Sequence, residues 1–163
     1  MGPILHWLAL ALSFAATSAA APRWVLLRGE GVEVCSNAGE KAAREALAQF
    51  EMARLVFSRF PFGKRAAPLP VRIYLFAGER EFAAYRRGES TEAFFQSGPE
   101  WDFIAARHNS AAGSRVILHE YTHLALSHAS PRLPKWFEEG LAEFYSTAVL
   151  DGARLRLGEP VAV

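Results

Sequence analysis

The chain has 163 residues, the length of a single domain, with 51% hydrophobic and 21% charged residues and a net charge of +1. This composition allows a packed core and excludes an intrinsically disordered protein. Because the net charge is close to zero, there is no electrostatic basis for binding nucleic acid or an anionic membrane surface, and neither is predicted as a partner.

The N-terminal segment has the pattern of a signal peptide. Ile4 to Ala16 is an apolar run without a charged side chain, shorter than the roughly 20 residues of a membrane span. Small residues at 18–20 provide a cleavage site before Ala21. We predict a signal peptide over residues 1–20, a secreted or periplasmic location, and no membrane span after cleavage. No Lys or Arg precedes the run, so an uncleaved anchor or a buried N-terminal helix is the alternative.

The mature chain, residues 21–163, is predicted to form one α+β domain, because strands come first and a pair of helices comes last. The elements in chain order are a hairpin from 23–28 and 32–35, a helix over 38–60, a strand over 71–76, a short helix over 79–87, a strand over 101–107, helices over 114–128 and 134–149, and a further strand over 154–157. Residues 91–98 have no clear pattern.

The first half of the mature chain contains a long predicted helix and the single cysteine. The helix over 38–60 has apolar residues at helical spacing, and Asn37 or Ser36 can cap it. The single cysteine, Cys35, excludes an internal disulfide and a cysteine-based zinc site. It stands in an alternating strand pattern, which predicts a core or half-buried thiol and not a nucleophile.

The main functional motif is His119-Glu120-Tyr-Thr-His123. On a helix, residues four apart lie one turn above each other, so the two imidazoles can bind one ion. A catalytic zinc takes three protein ligands from histidines and carboxylates and keeps its fourth position for water. Glu120 lies about 100° round the helix from His119, close to the metal without binding it, where a general base for that water is needed.

The motif needs a third ligand, and two candidates follow it. His128 does not fit the known layout in which a third histidine follows six residues after the second, and it suits the last turn of a helix, where positive charge is favoured. Glu139 lies on the next predicted helix and shares a face with Glu143. A helix that brings Glu139 to the metal also brings Glu143 to the ring N–H behind a histidine.

The alternative for that acidic helix is an amphipathic helix with a solvated face. Its apolar stripe and its three carboxylates fit that interpretation when the helix is considered alone. The motif one loop upstream favours the ligand interpretation, with Glu138 turned away from the other two carboxylates. Gly140, next to the ligand, predicts a close approach of the two helices.

The combined pattern resembles the gluzincin class of zinc metallopeptidases, and more closely the bacterial "peptidase MA-like" group. It consists of His119-Glu-x-x-His123, fifteen intervening residues, and Glu139 within a Trp-Phe-x-Glu-Gly-Leu-Ala-Glu segment. The resemblance covers most of residues 23–149. It implies a zincin-like core, in which a small mixed sheet and a long helix precede the active-site helix and the glutamate-bearing helix. It implies one Zn²⁺ bound by His119, His123 and Glu139, Glu120 as general base, and Glu143 behind a ligand.

The resemblance also implies a strand edge above the site along which an extended peptide can lie, and residues 101–107 are our candidate for it. Larger gluzincins carry a further helical domain that often supplies a Tyr or His to the transition state. The chain as given ends about twenty residues after Glu139. Tyr145 and His108 are the candidate substitutes, and a packed tyrosine and a loop histidine are their ordinary structural interpretations.

These observations predict an exported zinc metallopeptidase that hydrolyses a peptide or protein substrate. The alternative is a catalytically weak or inactive zinc-binding exported module. A third possibility is a zinc hydrolase that acts on a non-peptide bond, because the motif specifies the ion and the base but not the bond. The presence of Glu120 and the lack of a fourth protein ligand favour catalysis over a closed structural site.

Overall fold

A computed structural model of the protein describes residues 23–58, 69–86, 88, 91–108, 113–129, 133–151 and 154–159. The predicted signal peptide and its cleavage position lie outside these residues. The described chain forms strands β1 (Val25–Gly29), β2 (Val32–Ser36), β3 (Val71–Phe76), β4 (Ala93–Ser97), β5 (Asp102–Arg107), β6 (Val149–Asp151) and β7 (Arg154–Arg156), and helices α1 (Glu40–Ser58), α2 (Glu79–Phe82), α3 (Gly113–Ala129) and α4 (Lys135–Ser146). The predicted α+β class is confirmed.

Five strands form one mixed sheet in the order β1-β2-β3-β5-β4. The β2–β3 and β3–β5 pairs are parallel, whereas β1–β2 and β4–β5 are antiparallel. The prediction that residues 101–107 form the sheet edge beside the site is therefore wrong. Strand β5 is internal and buries residues on both faces, as Ile104 and Ala105 show. The edge strand next to β5 is β4, which lies in the segment that the sequence left unassigned.

The predicted hairpin is confirmed as β1 and β2. Gly31 in its turn has a φ of 68°, a left-handed conformation that favours glycine. Cys35 is half-buried on β2, as predicted, and burial raises the pKa of its thiol. Asn37 and Ser36 precede α1 but do not cap it: Asn37 Oδ1 accepts a hydrogen bond from the Ala77 N–H, and Ser36 Oγ accepts one from the Ala38 N–H.

Helix α1 packs on one face of the sheet through small and aromatic residues. Its buried positions are Ala42, Ala43, Ala46, Phe50, Ala53, Val56 and Phe57. They lie at the helical spacing of apolar residues that the sequence predicted. The rings of Phe50 and Phe57 meet Tyr121 of α3 edge-on, with centroids 4.9 and 5.5 Å apart. Because truncating a buried phenylalanine costs about 3–5 kcal/mol, these contacts fix α3 against α1.

Helix α3 packs against α1, α4, β4 and β5, so it is the element on which the site is built. Helix α4 begins at Lys135, immediately after Pro134, whose carbonyl accepts the first helical hydrogen bonds. The helix ends at Ser146, three residues before the predicted end, because the chain continues into a two-stranded sheet of β6 and β7. Within the described residues, no helix combines the length and apolarity that crossing a bilayer requires.

Candidate metal centre

Two histidines of α3 point at the same place. The Nε2 atoms of His119 and His123 are 3.1 Å apart, and their rings meet edge-on with centroids 4.9 Å apart. The one-turn spacing puts both rings on the face of α3 that is turned towards α4 and β4. A hydrogen bond between the rings needs a proton on one Nε2, whereas a metal ion uses the lone pairs of both.

Helix α4 brings the carboxylate of Glu139 to these rings. Its Oε2 lies 3.5 Å from Nε2 of His119 and 3.4 Å from Nε2 of His123. Ligand atoms about 2.0–2.2 Å from a zinc ion at the centre of a tetrahedron are about 3.3–3.6 Å from one another. The two separations that involve Glu139 fall in this range, and the 3.1 Å between the two Nε2 atoms is slightly shorter, so His119, His123 and Glu139 form a group that could hold a metal ion.

The electrostatics of the ligands suit a cation. Burial lowers the pKa of His123, and His119 adds to the effect, which favours the neutral ring that binds metals. A hydrogen bond from Lys135 lowers the pKa of Glu139 and keeps its carboxylate ionised. Lys135 Nζ donates to Oε1 at 2.8 Å, which leaves Oε2 directed at the histidines.

Glu120 lies in the same open cavity of about 470 Å³ as the three candidate ligands. Burial raises its pKa to about 7, and the nearby Glu139 charge adds to the shift. The backbone N–H of Phe95 on β4 donates a hydrogen bond to the Glu120 carboxylate and opposes the shift. The side chain is therefore anchored to the edge strand beside the candidate ligands, with the proton affinity that a general base needs near neutral pH.

Glu143 faces the other side of His119. Its Oε2 is 3.8 Å from Nδ1 of His119, beyond hydrogen-bond distance but within the range of an ion pair. Ser146 Oγ lies 3.2 Å from the same oxygen, and Arg115 Nη2 lies 3.4 Å from it. The structure places Glu143 near His119, and its role behind a ligand ring stays a prediction.

His128 lies apart from the metal-binding group, at the C-terminal end of α3. Its Nε2 is 2.7 Å from Oδ2 of Asp102, a buried residue at the start of β5. The sequence placed His128 in a last helical turn but gave no sign of Asp102, because that contact depends on how α3 packs against the sheet. Near this pair is a larger cavity of about 710 Å³ that the candidate ligands do not line.

The sequence also led to expectations for Gly140, Glu138, Tyr145 and His108. The prediction for Gly140 is wrong: a Cβ atom built there meets nothing within 4 Å, so the glycine marks no close approach of the helices. Glu138 lines the same cavity as Glu139. Tyr145 is buried in the core with its ring 4.9 Å from that of Phe57, and the His108 backbone N–H bonds the Phe76 carbonyl after β5. Neither ring is placed among the groups that line the cavity.

Sequence reasoning missed several partners of the site. Lys135 is four residues before Glu139. Because this spacing favours an ion pair on a helix, the contact could have been predicted from the sequence. Phe95, Arg115 and Ser146 were not, because their contacts cross between elements that are distant in the chain.

No protein-family model matches the chain, and no curated protein matches it at a significant level.

Proposed function

We propose that the protein is an exported zinc metallopeptidase with a zincin-like core and one Zn²⁺ held by His119, His123 and Glu139. The observation that carries this proposal is the convergence of three ligand atoms, 3.1–3.5 Å apart, beside a glutamate that binds none of them. A structural zinc site is usually closed by four protein ligands. Among the described residues the group has three, which favours a catalytic site with one open position.

The donor set supports zinc. Two imidazoles and one carboxylate are the ligands of known catalytic zinc sites, whereas calcium and magnesium prefer oxygen ligands alone. Glu143 is proposed to accept the Nδ1–H of His119, which fixes the tautomer and leaves Nε2 free for the metal. The 3.8 Å separation between these atoms requires only a small side-chain movement.

The reaction proposed is hydrolysis of a peptide bond. When bound, zinc polarises the carbonyl group and lowers the pKa of water to near 7. Glu120 accepts the proton of the attacking water and later delivers it to the leaving amine. Its half-buried position and its hydrogen bond from Phe95 hold the carboxylate in the cavity that the candidate ligands also line.

The edge strand β4 supports an extended peptide as substrate. Gly98 N–H bonds the Trp101 carbonyl and Arg107 N–H bonds the Glu92 carbonyl, which defines the alternate residues of this strand that pair with β5. By that alternation, the backbone groups of the odd-numbered residues 93–97 point away from β5, and among them the Phe95 N–H donates to Glu120. A substrate chain that adds to this edge would pair with the other outward groups and lie beside Glu120.

A comparison of the wild type with Glu120→Gln tests the proposal. Both proteins are expected to bind one zinc ion, measured by metal analysis after gel filtration. Cleavage of casein or a peptide library by the variant is expected to fall about 10²–10⁴-fold. Glu138→Gln is a matched control, since it removes a carboxylate from the same cavity, and it is expected to keep its activity.

Two outcomes of the cleavage assay would contradict parts of this proposal. Equal cleavage by wild type and Glu120→Gln would contradict the assignment of Glu120 as the base. A wild type that binds zinc but cleaves none of these substrates would favour the zinc-binding module or a hydrolase of another bond.

A further inference from the structure

We infer that Arg115 and Ser146 form a positioning unit with Glu143, which holds that carboxylate behind His119 and thereby raises the affinity of the site for its metal ion. The inference rests on the metal centre of the proposed function and extends it to two residues outside the ligand group. The unit joins α3 to α4: Arg115 lies one turn before His119 on α3, and Ser146 lies one turn after Glu143 on α4.

Ser146 connects the carboxylate to the backbone of α4. It is 2% exposed, so its hydroxyl must find its partners within the protein. Its single O–H can be donated to the main-chain carbonyl of Glu143 at 2.7 Å or to Oε2 of the same residue at 3.2 Å. When it is donated to Oε2, it restrains the carboxylate against turning into solvent.

Arg115 completes the unit from the opposite helix. Its Nη2 is 3.4 Å from Glu143 Oε2 and 3.3 Å from Ser146 Oγ. The guanidinium group attracts the carboxylate and directs it towards α3. Arg115 and His119 occupy the same face of α3, so a carboxylate drawn towards Arg115 is also brought towards Nδ1 of His119.

One donor of Arg115 indicates that the stability of the fold alone does not determine the position of this side chain. Its Nε–H is buried and has no hydrogen-bond partner among the described residues. A buried donor without a partner costs free energy and calls for an explanation. The contacts of Nη2 with Glu143 and Ser146 supply one, because they orient a group that acts on a candidate ligand.

The experiment is a double-mutant cycle on zinc affinity. The dissociation constant is measured by competition with a chromophoric chelator for the wild type, Arg115→Met, Glu143→Gln and the double variant. Removal of an outer partner of a ligand weakens binding about 10–100-fold, and we expect this for Glu143→Gln and about tenfold for Arg115→Met. The double variant is expected to bind no more weakly than Glu143→Gln, because Arg115 acts through Glu143.

Two further variants and one further measurement separate positioning from structure. Arg115→Lys keeps the charge and is expected to recover part of the lost affinity, while Ser146→Ala is expected to lose about threefold to tenfold. Urea unfolding of each metal-free variant reports its fold. If Arg115→Met does not fold, Arg115→Lys and Ser146→Ala complete the test, since a positioning role requires both to weaken zinc binding in a folded protein.

The contrary outcomes are distinct. If Arg115→Met lowers the stability but leaves the dissociation constant within about twofold, Arg115 only ties the two helices together and the inference is wrong. Additive losses in the double variant would show that Arg115 acts independently of Glu143, which also overturns it. A wild type that binds no zinc would overturn the proposed function itself, together with this unit.

Discussion

Helix α3 carries histidines with carboxylate neighbours in two places, and the two places are built in opposite ways. At the C-terminal end, His128 Nε2 is 2.7 Å from Oδ2 of Asp102, which is 1% exposed. In the middle of the helix, the two motif histidines face each other, and the carboxylate that approaches both is 44% exposed and 3.4–3.5 Å away. In the first place the imidazole and the carboxylate bond each other directly, whereas in the second the three groups converge on a shared point.

This difference separates a structural histidine from a candidate ligand. A buried carboxylate that bonds directly to an imidazole stabilises the packing of α3 against β5, and it leaves no room for an ion between them. Three ligand atoms that converge near a solvent-open cavity leave a space that can hold a cation. A change in one of these two places should leave the function of the other intact.

The largest effect is expected for His123→Ala. Structural zinc sites bind with about 10–16 kcal/mol from four ligands, so the loss of one ligand is expected to cost about 4 kcal/mol, or about a thousandfold in Kd. Chelator competition measures the affinity, and circular dichroism confirms that the variant folds. A Kd within tenfold of the wild type would show that His123 is not a ligand.

The matching change at the C-terminal end of α3 is His128→Ala. It leaves the Asp102 carboxylate buried without its hydrogen bond, since Oδ1 has no partner among the described residues. We expect a loss of about 3 kcal/mol in the free energy of unfolding, measured in urea. Zinc affinity should remain unchanged. A weakened affinity in the folded variant would contradict the separation of the His128–Asp102 pair from the motif histidines.

A third change tests the cost of keeping Glu120 beside the ligands. Burial raises its pKa to about 7 from an ordinary value of 4.5. Between these values the folded protein binds a proton that the unfolded chain releases, so stability falls as the pH rises, and the cost is complete above the folded pKa.

Glu120→Gln removes this cost in the metal-free protein. Because each pKa unit corresponds to about 1.4 kcal/mol and a buried amide offsets part of the gain, we expect about 2 kcal/mol of added stability near pH 8. Near pH 4, thermal unfolding of the two chelator-treated proteins is expected to be alike. A gain that is independent of pH would show that a cause other than ionisation is responsible.

The smallest effect is expected for Lys135→Met. The Lys135 side chain is 83% exposed, and exposed ion pairs contribute about 0.2–1 kcal/mol. Zinc affinity is expected to change by less than about fivefold, by the same competition method. A loss above tenfold would show that Glu139 depends on Lys135 to face the histidines.

Residue patterns within short segments predicted the elements whose structure depends on neighbouring residues in the chain. The hairpin and the strand over 71–76 follow from periodicity and turn residues, and the predicted helix start at Pro134 lies one residue before the start of α4. The convergence of Glu139 with the motif histidines was also predicted, from the motif one loop upstream of the helix that carries Glu139.

Long-range pairing determined the rest. The sequence left 91–98 unassigned and put 101–107 at the edge, because neighbouring strands cannot be ordered by their own periodicity. The four consecutive apolar residues at 103–106 favour an internal strand, and that signal was present in the sequence. The Arg115–Glu143 contact spans 28 residues and depends on how α3 packs against α4, which no local pattern records.

X-ray absorption spectroscopy of the zinc-loaded protein tests the central claim most directly. We expect two imidazole nitrogens at about 2.0–2.1 Å, with oxygen donors at about 2.0–2.2 Å and no sulfur. His123→Ala should lose one imidazole from the spectrum. A shell that contains sulfur, or one with the same imidazole count in wild type and His123→Ala, would contradict a metal centre built from His119, His123 and Glu139.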